Sequence, residues 1–548
     1  MPCARRPLAE EGCRLLHPET TGRWNLFAIG GMELSYQDGV DCSRRRLLRA
    51  GSAALAGAAA GPLPALAEPP AHVRRWDHEF DMIVIGFGVS GRAAAYEALK
   101  AGAKVLILDP PSAAASESHG GYFYLGGGTA LQRALKVEDS PEDMFKFLMA
   151  AYAPAPAEDK IRVFSERGPE HYEWLVKLGI RFGDRLFDDS LPIEDGGGLY
   201  FSGEEQSWPY REIVKPAQRG HVPVEGHSAD KTLLKLLLEV TRQAGATQLP
   251  TADVKNLAVG ADGRVEGALA AVDGKVLSFR ARRGVILATG GFANNRDMAA
   301  VYTPQFLDCA PIDVGGIGGW GHRAGQAVGA ALERMDGAVA YFNLYPPLSR
   351  KEGLLVNAQG QRFIHEDAYY GRIGNAIVQA QQGVAHLILD APALGDIDAA
   401  EGPRTPGRGP VVAAQAPTIA DVERAIGLPE LTLQRTVELY NRFAARGEDP
   451  LFHKNPRHLR PLTQPPFTAL KASVKDVYFP FFTLGGLRVN VRTEVLNGDG
   501  NPIPGLYAAG RVAAGIPAPI YVTSGLSIAE GTLFGRIAGV NAAANHGT

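Results

Sequence analysis

Apolar residues in this chain come in short runs that end on glycine. Met82 to Ile85 runs into Gly86-Phe87-Gly88-Val89-Ser90-Gly91, a small-residue stretch continues to Lys100, and Val105 to Leu108 ends on Asp109. The two apolar runs predict strands, and the small-residue stretch between them predicts a helix. Strand, glycine turn, helix, strand and acid together suit a bound dinucleotide. Gly86 permits the tight turn, Gly88 lets backbone approach a pyrophosphate, and Gly91 lets helix and strand pack closely. The helix start offers N–H groups and the positive end of its dipole to phosphates. Asp109, 18 residues after Gly91, can accept hydrogen bonds from ribose hydroxyls.

Two later runs behave the same way: Val285 to Gly291 (VILATGG) and Gly505 to Gly510 (GLYAAG). A nicotinamide cofactor needs only the first segment. Three such segments, spread along the chain, point to FAD, whose longer body is gripped by distant parts of one chain. The candidate cofactor contacts are Gly86, Gly88, Val89, Ser90, Gly91 and Asp109, then Gly120, Gly121, Gly127, Gly128 and Thr129 of a glycine-rich loop. Val254, Ala288, Thr289, Gly290, Gly510, Arg511, Leu526 and Ser527 complete the set.

Between these segments, residues 130–180 read as helices. Asp230 to Ala244 predicts a helix with Leu233, Leu234, Leu237 and Leu238 on one face. Val254 to Phe279 predicts a β-meander turning at residues 261–263 and 272–274. From 296 to 465 the composition shifts, with a hairpin expected over Leu354 to Phe363, a surface loop over 392–418 and an amphipathic helix over Leu431 to Ala445. The pattern predicts an α/β fold. A Rossmann-like FAD-binding domain (78–295 and 466–545) carries an inserted α+β capping, or substrate, domain (296–465).

Bulk properties narrow the class. The chain has 548 residues, 45% hydrophobic and 21% charged, with net charge −3. These values suit a globular protein and give no reason to expect nucleic acid or an anionic membrane surface as partner. The four cysteines (Cys3, Cys13, Cys42, Cys309) show no metal-ligand spacing, and no C-x-x-C-H haem site occurs. No metal, disulfide framework or iron–sulfur cluster is expected. Ser43 to Arg49 (SRRRLLR) is a twin-arginine pattern, followed by an Ala/Gly-rich run, Ala50 to Leu66, and an A-x-A site at Ala65-Leu66-Ala67. Residues 1–67 are thus expected to be an N-terminal extension and export signal, cleaved near Ala67, that delivers the protein to the periplasm. Met32 is the alternative start. The run is too poor in large apolar residues for a membrane span, and none is expected in the mature chain.

Several segments together resemble the fumarate reductase/succinate dehydrogenase flavoprotein superfamily: GFGVSG, ILATGGF (286–292), GLLVNAQGQRF (353–363), TLGGL (483–487), IPGLYAAG (503–510) and FGRIAG (534–539). The resemblance implies a discontinuous FAD-binding domain, a capping domain and a substrate held between them against the flavin ring. Dicarboxylate members carry an arginine-bearing HGxNRLGGNSL-like run after the GLYAAG strand. This chain has no arginine between Arg511 and Arg536, and reads GIPAPIYVTSGLSI (515–528) instead. An apolar, hydroxyl-bearing stretch suits a greasy ketone better than a diacid. YLGGGT (124–129), YFSGE (200–204) and EDAYYGR (366–372) are similar to the 3-ketosteroid dehydrogenase branch, most of all to 3-keto-5α-steroid Δ4-dehydrogenases.

That resemblance implies a dehydrogenase acting on CH–CH bonds, which desaturates a 3-keto steroid or similar apolar cyclic ketone with hydride transfer to flavin N5. The sequence does not identify the electron acceptor, for which a quinone or a redox protein is the candidate. Carbonyl polarisation and α-proton removal call for tyrosine hydroxyls. Tyr521 and Tyr370 are the leading candidates, with Ser524 as orienting or relay group and Tyr369 as alternative to Tyr370. The branch pattern Tyr-x-Ser-Gly is stretched here by one residue, leaving open which hydroxyl plays which role. Arg350 lies near the position of a proton-donating arginine in soluble fumarate reductases, but is read as a solvated hairpin charge. His322 is read as structural. The rival activities are reduction of a small unsaturated acid, as in fumarate and urocanate reductases, and electron carriage without small-molecule turnover.

Overall fold

The computed structural model describes residues 69–109, 120–189, 196–250, 252–313, 318–344, 347–396 and 410–545. The twin-arginine segment lies outside the described residues, as does the start of the glycine-rich loop. Strand β1 (His78–Ile85), helix α1 (Val89–Lys100) and β2 (Val105–Leu108) form the expected unit. The helix begins at Val89, inside the glycine motif. The main sheet is completed by β3 (Thr247–Leu249), β4 (Asp253–Val259), β5 (Val265–Val272), β6 (Lys275–Leu287), β7 (Glu494–Leu496) and β8 (Pro502–Ala508). Its order is β7-β8-β6-β1-β2-β3, with β5 paired to the early part of β6 and β4 to β5. The meander therefore falls where the sequence predicts it.

Side chains alternate between two buried faces. Met82, Val84, Val105, Ile107 and Ile286 face one core, built with α1 and the terminal helix α2 (Leu526–Ala544). Ile83, Ile85, Leu106, Leu108, Val285 and Leu287 face the other, covered by the meander. Burial on both faces explains why these strands read as continuous apolar runs. The pairing is parallel, and Ile85 sits opposite Leu287, which sits opposite Ala508. All three glycine segments therefore leave the sheet at the same carboxyl edge.

Helix α2 is buried nearly all round and lies directly on α1. A Cβ on Gly535 would fall 2.4 Å from the Ser90 carbonyl oxygen, and one on Gly539 would fall 2.2 Å from that of Ala94. Backbone touches backbone here, so only glycine fits.

A third core belongs to the inserted region. Its sheet runs Leu354–Asn357, Ala385–Leu389, Phe467–Lys471, Val412–Ala416. Three expectations need correcting. The Leu354 to Phe363 hairpin is only a turn, closed by the Val356–Arg362 bridge, and the strand pairs instead with Ala385–Leu389. Its Leu354, Leu355 and Val356 are all buried and need a sheet rather than a two-stranded ribbon. The expected surface loop contains the strand Val412–Ala416. The insert also takes an inner strand, Phe467–Lys471, from beyond residue 465. The helix Thr432–Ala444 buries Leu433, Val437, Tyr440 and Ala444, as its spacing predicts. In Ala229–Gln243, Leu233, Leu234 and Leu237 are buried but Leu238 is 38% exposed, one step past the stripe.

The segment after β8 is held by a buried pair. Lys160 Nζ donates to the Ala514 carbonyl at 2.7 Å, and Glu530 Oε1 accepts the Ile516 N–H at 2.7 Å. Burial pushes the Glu530 carboxyl up to about 7, against the opposing pull of the Ile516 N–H and Lys160, while burial lowers Lys160.

Two outcomes follow. Gly535→Val should destabilise the protein by about 1–3 kcal/mol through forced separation of α1 and α2, read as a lower urea midpoint. An unchanged midpoint would contradict the close helix contact. Glu530 is protonated more readily folded, at about 7, than unfolded, near 4.5. Its contribution to stability is thus lost as pH rises from about 4.5 to about 7. Glu530→Gln should flatten that decline in a melting-temperature series, and an undiminished slope would count against it.

Candidate functional site

At the carboxyl edge of the sheet, Gly86 has φ +92° and a Cβ there would lie 2.5 Å from the Ala288 carbonyl oxygen. A Cβ on Gly91 would lie 2.1 Å from the Gly86 carbonyl oxygen. The first and second glycine segments are therefore in contact. The third joins them, because a Cβ on Gly510 would meet Ser90 Oγ at 2.4 Å. Gly88 is the N-cap of α1 and no side chain caps the helix, so its first-turn N–H groups face outward for phosphates. Asp109 is buried, and its Oδ1 has no hydrogen-bond partner among the described residues. Burial raises its carboxyl to about 6 despite the Arg92 guanidinium nearby. Thr289 Oγ1 is likewise buried and without a partner among the described residues. Unsatisfied acceptors beside an open helix start are what a dinucleotide's ribose and phosphates would fill, and FAD fits these residues.

The remaining candidates are placed less directly. Gly127 N–H donates to Asp139 Oδ2 (2.9 Å), and the N–H groups of Gly128 and Thr129 donate to Gln132 Oε1. Thr129 also caps the helix Ala130–Ala134, and its hydroxyl meets His221. A buried Arg219–Asp139 pair (2.7 Å) stiffens this loop. Gly121 lies against the Gly226 carbonyl, with Gly120 beside it at the edge of the described residues. Val254 is buried in β4 opposite Ala270, on the meander face of the sheet.

A second constellation lies between the sheet core and the insert. The segment Tyr521–Ser524 precedes α2, whose N-cap, Gly525 (φ +86°), packs on Tyr122. The hydroxyls of Tyr370 and Ser524 are hydrogen-bonded, and Tyr369 Oη lies 3.1 Å from Ser524 Oγ. Tyr521 Oη accepts the Ser527 N–H at 2.9 Å. The Tyr369 and Tyr370 ring centres lie 4.3 Å apart with the rings tilted by 42°, and the Tyr521 ring centre lies 6.3 Å from that of Tyr369. Two buried acids fix the segment that carries Tyr369 and Tyr370. Glu366 is locked by Arg362 (2.8 Å) and Lys454 (2.7 Å), and Glu204 accepts the Tyr369 N–H at 3.1 Å. The structure thus brings Tyr521, Tyr370 and Ser524 together, with Tyr369 as a direct neighbour. Ser524 faces the tyrosines, whereas Thr523 Oγ1 pairs with Ser202 Oγ at 3.1 Å.

Burial raises these phenols, Tyr521 to about 12 and Tyr369 and Tyr341 well above the ordinary tyrosine value. The Ser527 N–H and the Arg511 guanidinium pull Tyr521 back down. Tyr341 escaped the sequence reading. Its ring lies 5.0 Å from Tyr370 and 6.4 Å from Tyr521, and no motif marks it. Sequence position marks Arg511 as a cofactor contact, and its partners come from elsewhere in the chain. Its guanidinium pairs with Asp313 at 2.8 Å and lies 4.9 Å from the ring centre of Phe482. Arg350 is not a solvated charge: it is 4% exposed, with Nε directed at the Leu394 carbonyl. His322 is fully buried against Phe292, and burial lowers it to about 4. Among the described residues no cluster of His, Cys, Asp or Glu is arranged to hold a metal ion, and no helix is long and apolar enough to cross a membrane.

Comparison with known proteins agrees with this geometry. The profile of the family described as "FAD binding domain" matches residues 81–528. The chain is similar to the crystal structure of 3-ketosteroid-Δ4-(5α)-dehydrogenase from Rhodococcus jostii RHA1 in complex with 4-androstene-3,17-dione. That match has 39% identity and a TM-score of 0.80, covering 87% of this chain and 100% of that one. It is also 28% identical to 3-oxo-5-alpha-steroid 4-dehydrogenase of Comamonas testosteroni, over 80% of this chain and 93% of the relative. Urocanate reductase of Eggerthella lenta is 29% identical, over 85% of this chain and 75% of the relative. The chain therefore belongs to the FAD-binding family of the fumarate reductase/succinate dehydrogenase superfamily, and is an FAD-dependent oxidoreductase.

Proposed function

We propose that this oxidoreductase desaturates a 3-keto steroid or a similar apolar cyclic ketone. The observation that carries this reading is the hydroxyl cluster of buried Tyr521, Tyr369 and Ser524 with half-buried Tyr370, in place of a carboxylate clamp. Arg372, two residues after Tyr370, is already paired with Glu204, and Arg511, ten residues before Tyr521, with Asp313. A diacid substrate would need an unpaired guanidinium.

The chain's residues divide the work. Tyr370, oriented by Ser524, donates a hydrogen bond to the ketone oxygen and makes the α C–H acidic. Tyr521, as phenolate, takes the α proton; the Ser527 N–H supports the charge that phenolate carries. FAD, when bound, supplies the acceptor for the β hydride. The C–H electrons left at the α carbon form the new double bond, so one proton and one hydride leave the substrate. The cluster's apolar walls, Phe482 and Tyr341, exclude water from the reacting carbons. We infer further that the protein is exported by the twin-arginine route, from the arginine pattern at residues 43–49.

The urocanate reductase relative keeps acid reduction as the competing reading. Anaerobic mixing with a 3-keto-5α-steroid should bleach the flavin and yield an enone. No bleaching, together with reoxidation of the dye-reduced protein by fumarate or urocanate, would overturn the ketone reading. Tyr521→Phe should lower kcat by a factor on the order of 10²–10⁴. A change below about threefold with FAD retained would remove Tyr521 from the proton transfer.

A further inference from the structure

Arg511 leaves β8 immediately after Gly510, whose φ of +73° turns the chain sharply there. Its guanidinium is gripped from one side by Asp313, at 2.8 Å, and lies over the face of Phe482 on the other. The Phe482 ring meets Tyr521 edge-on at 5.4 Å and Tyr341 at 5.7 Å. The Phe482 ring thus stands between Arg511 and the phenol cluster. Asp313 is itself fixed, since its Oδ2 accepts the Ala293 N–H at 2.7 Å and the Thr483 hydroxyl at 3.3 Å. Ion pair and ring contact hold the guanidinium from two sides.

We propose that Arg511, anchored by Asp313 and laid across Phe482, is a positioning residue that biases the buried hydroxyl cluster toward carrying a negative charge on Tyr521. The need for one is physical. Tyr341, Tyr369 and Tyr370 face Tyr521, and Tyr152 lies within its electrostatic reach with Glu530 beyond. Each of these groups is neutral or negative. The Ser527 N–H and Arg511 are the opposing donor and cation. At the separation two ring contacts imply, a guanidinium acting through an effective dielectric near 20 favours a phenolate by roughly one pH unit, and its Asp313 partner cancels part of that. Asp313 therefore moderates the field as well as holding its source. The inference rests on the reading of Tyr521 as the proton acceptor.

The two members of the pair should act with opposite sign, which a structural role would not produce. In the holoprotein, Tyr521 ionisation is read as the tyrosinate absorbance difference between each variant and the same variant carrying Tyr521→Phe. Arg511→Met should move that titration up by on the order of 0.5–1 pH unit. Asp313→Asn, which keeps the size and one acceptor oxygen, should move it down. Arg511→Lys should return it close to the parent value. Shifts of the same sign in Arg511→Met and Asp313→Asn, or none in either, would overturn the proposal. The readout needs no substrate, so opposite shifts in a protein that no ketone bleaches would uphold the charge bias and reject the ketone reading instead.

Discussion

Contact between the backbones of α1 and α2 is the constraint on which the site depends. Gly535 and Gly539 let α2 touch the carbonyl groups of Ser90 and Ala94, and Gly510 lets the third glycine segment touch Ser90. No side chain separates these elements, so their spacing has almost no slack. The same helix α2 begins two residues after Ser524, and its Ser527 N–H holds Tyr521. The glycine turn that suits a cofactor and the hydroxyls that suit a substrate are thus two ends of one rigid lever.

The two halves of the site obey different physics. The cofactor end is built from close backbone approach and from acceptors left unsatisfied at the sheet edge. The substrate end is built from buried phenols, whose cost of ionisation dominates. Fixed donors and a restrained cation answer that cost at Tyr521. Because Arg511 is already paired, the region can be electrostatically active without inviting a carboxylate.

The cofactor half was legible because its constraints act on neighbouring residues. A turn with positive φ at Gly86, a helix start at Val89 and an acid after β2 all mark the sequence within thirty residues. Tyr370, Tyr521 and Ser524 were found through family motifs rather than through any pattern of their own. Tyr341 and the Asp313–Arg511 pair were not legible, because each is defined by a partner far along the chain. Arg350 was misread for the same reason: a charge in a turn looks solvated until the elements packed over it are known. The strand Val412–Ala416 was hidden by composition, since an alanine-rich strand of half-buried residues carries little alternation.

Ser524 has a single hydroxyl proton and two phenol neighbours, Tyr369 and Tyr370. It can donate to only one of them, so the other must donate to it. The cluster therefore has a polarity, and reversing that polarity takes only concerted rotation of light hydroxyl groups. No ring or backbone has to shift. A buried network of this kind stores orientation in its protons, and the direction in which it points decides which tyrosine still has a hydrogen to give.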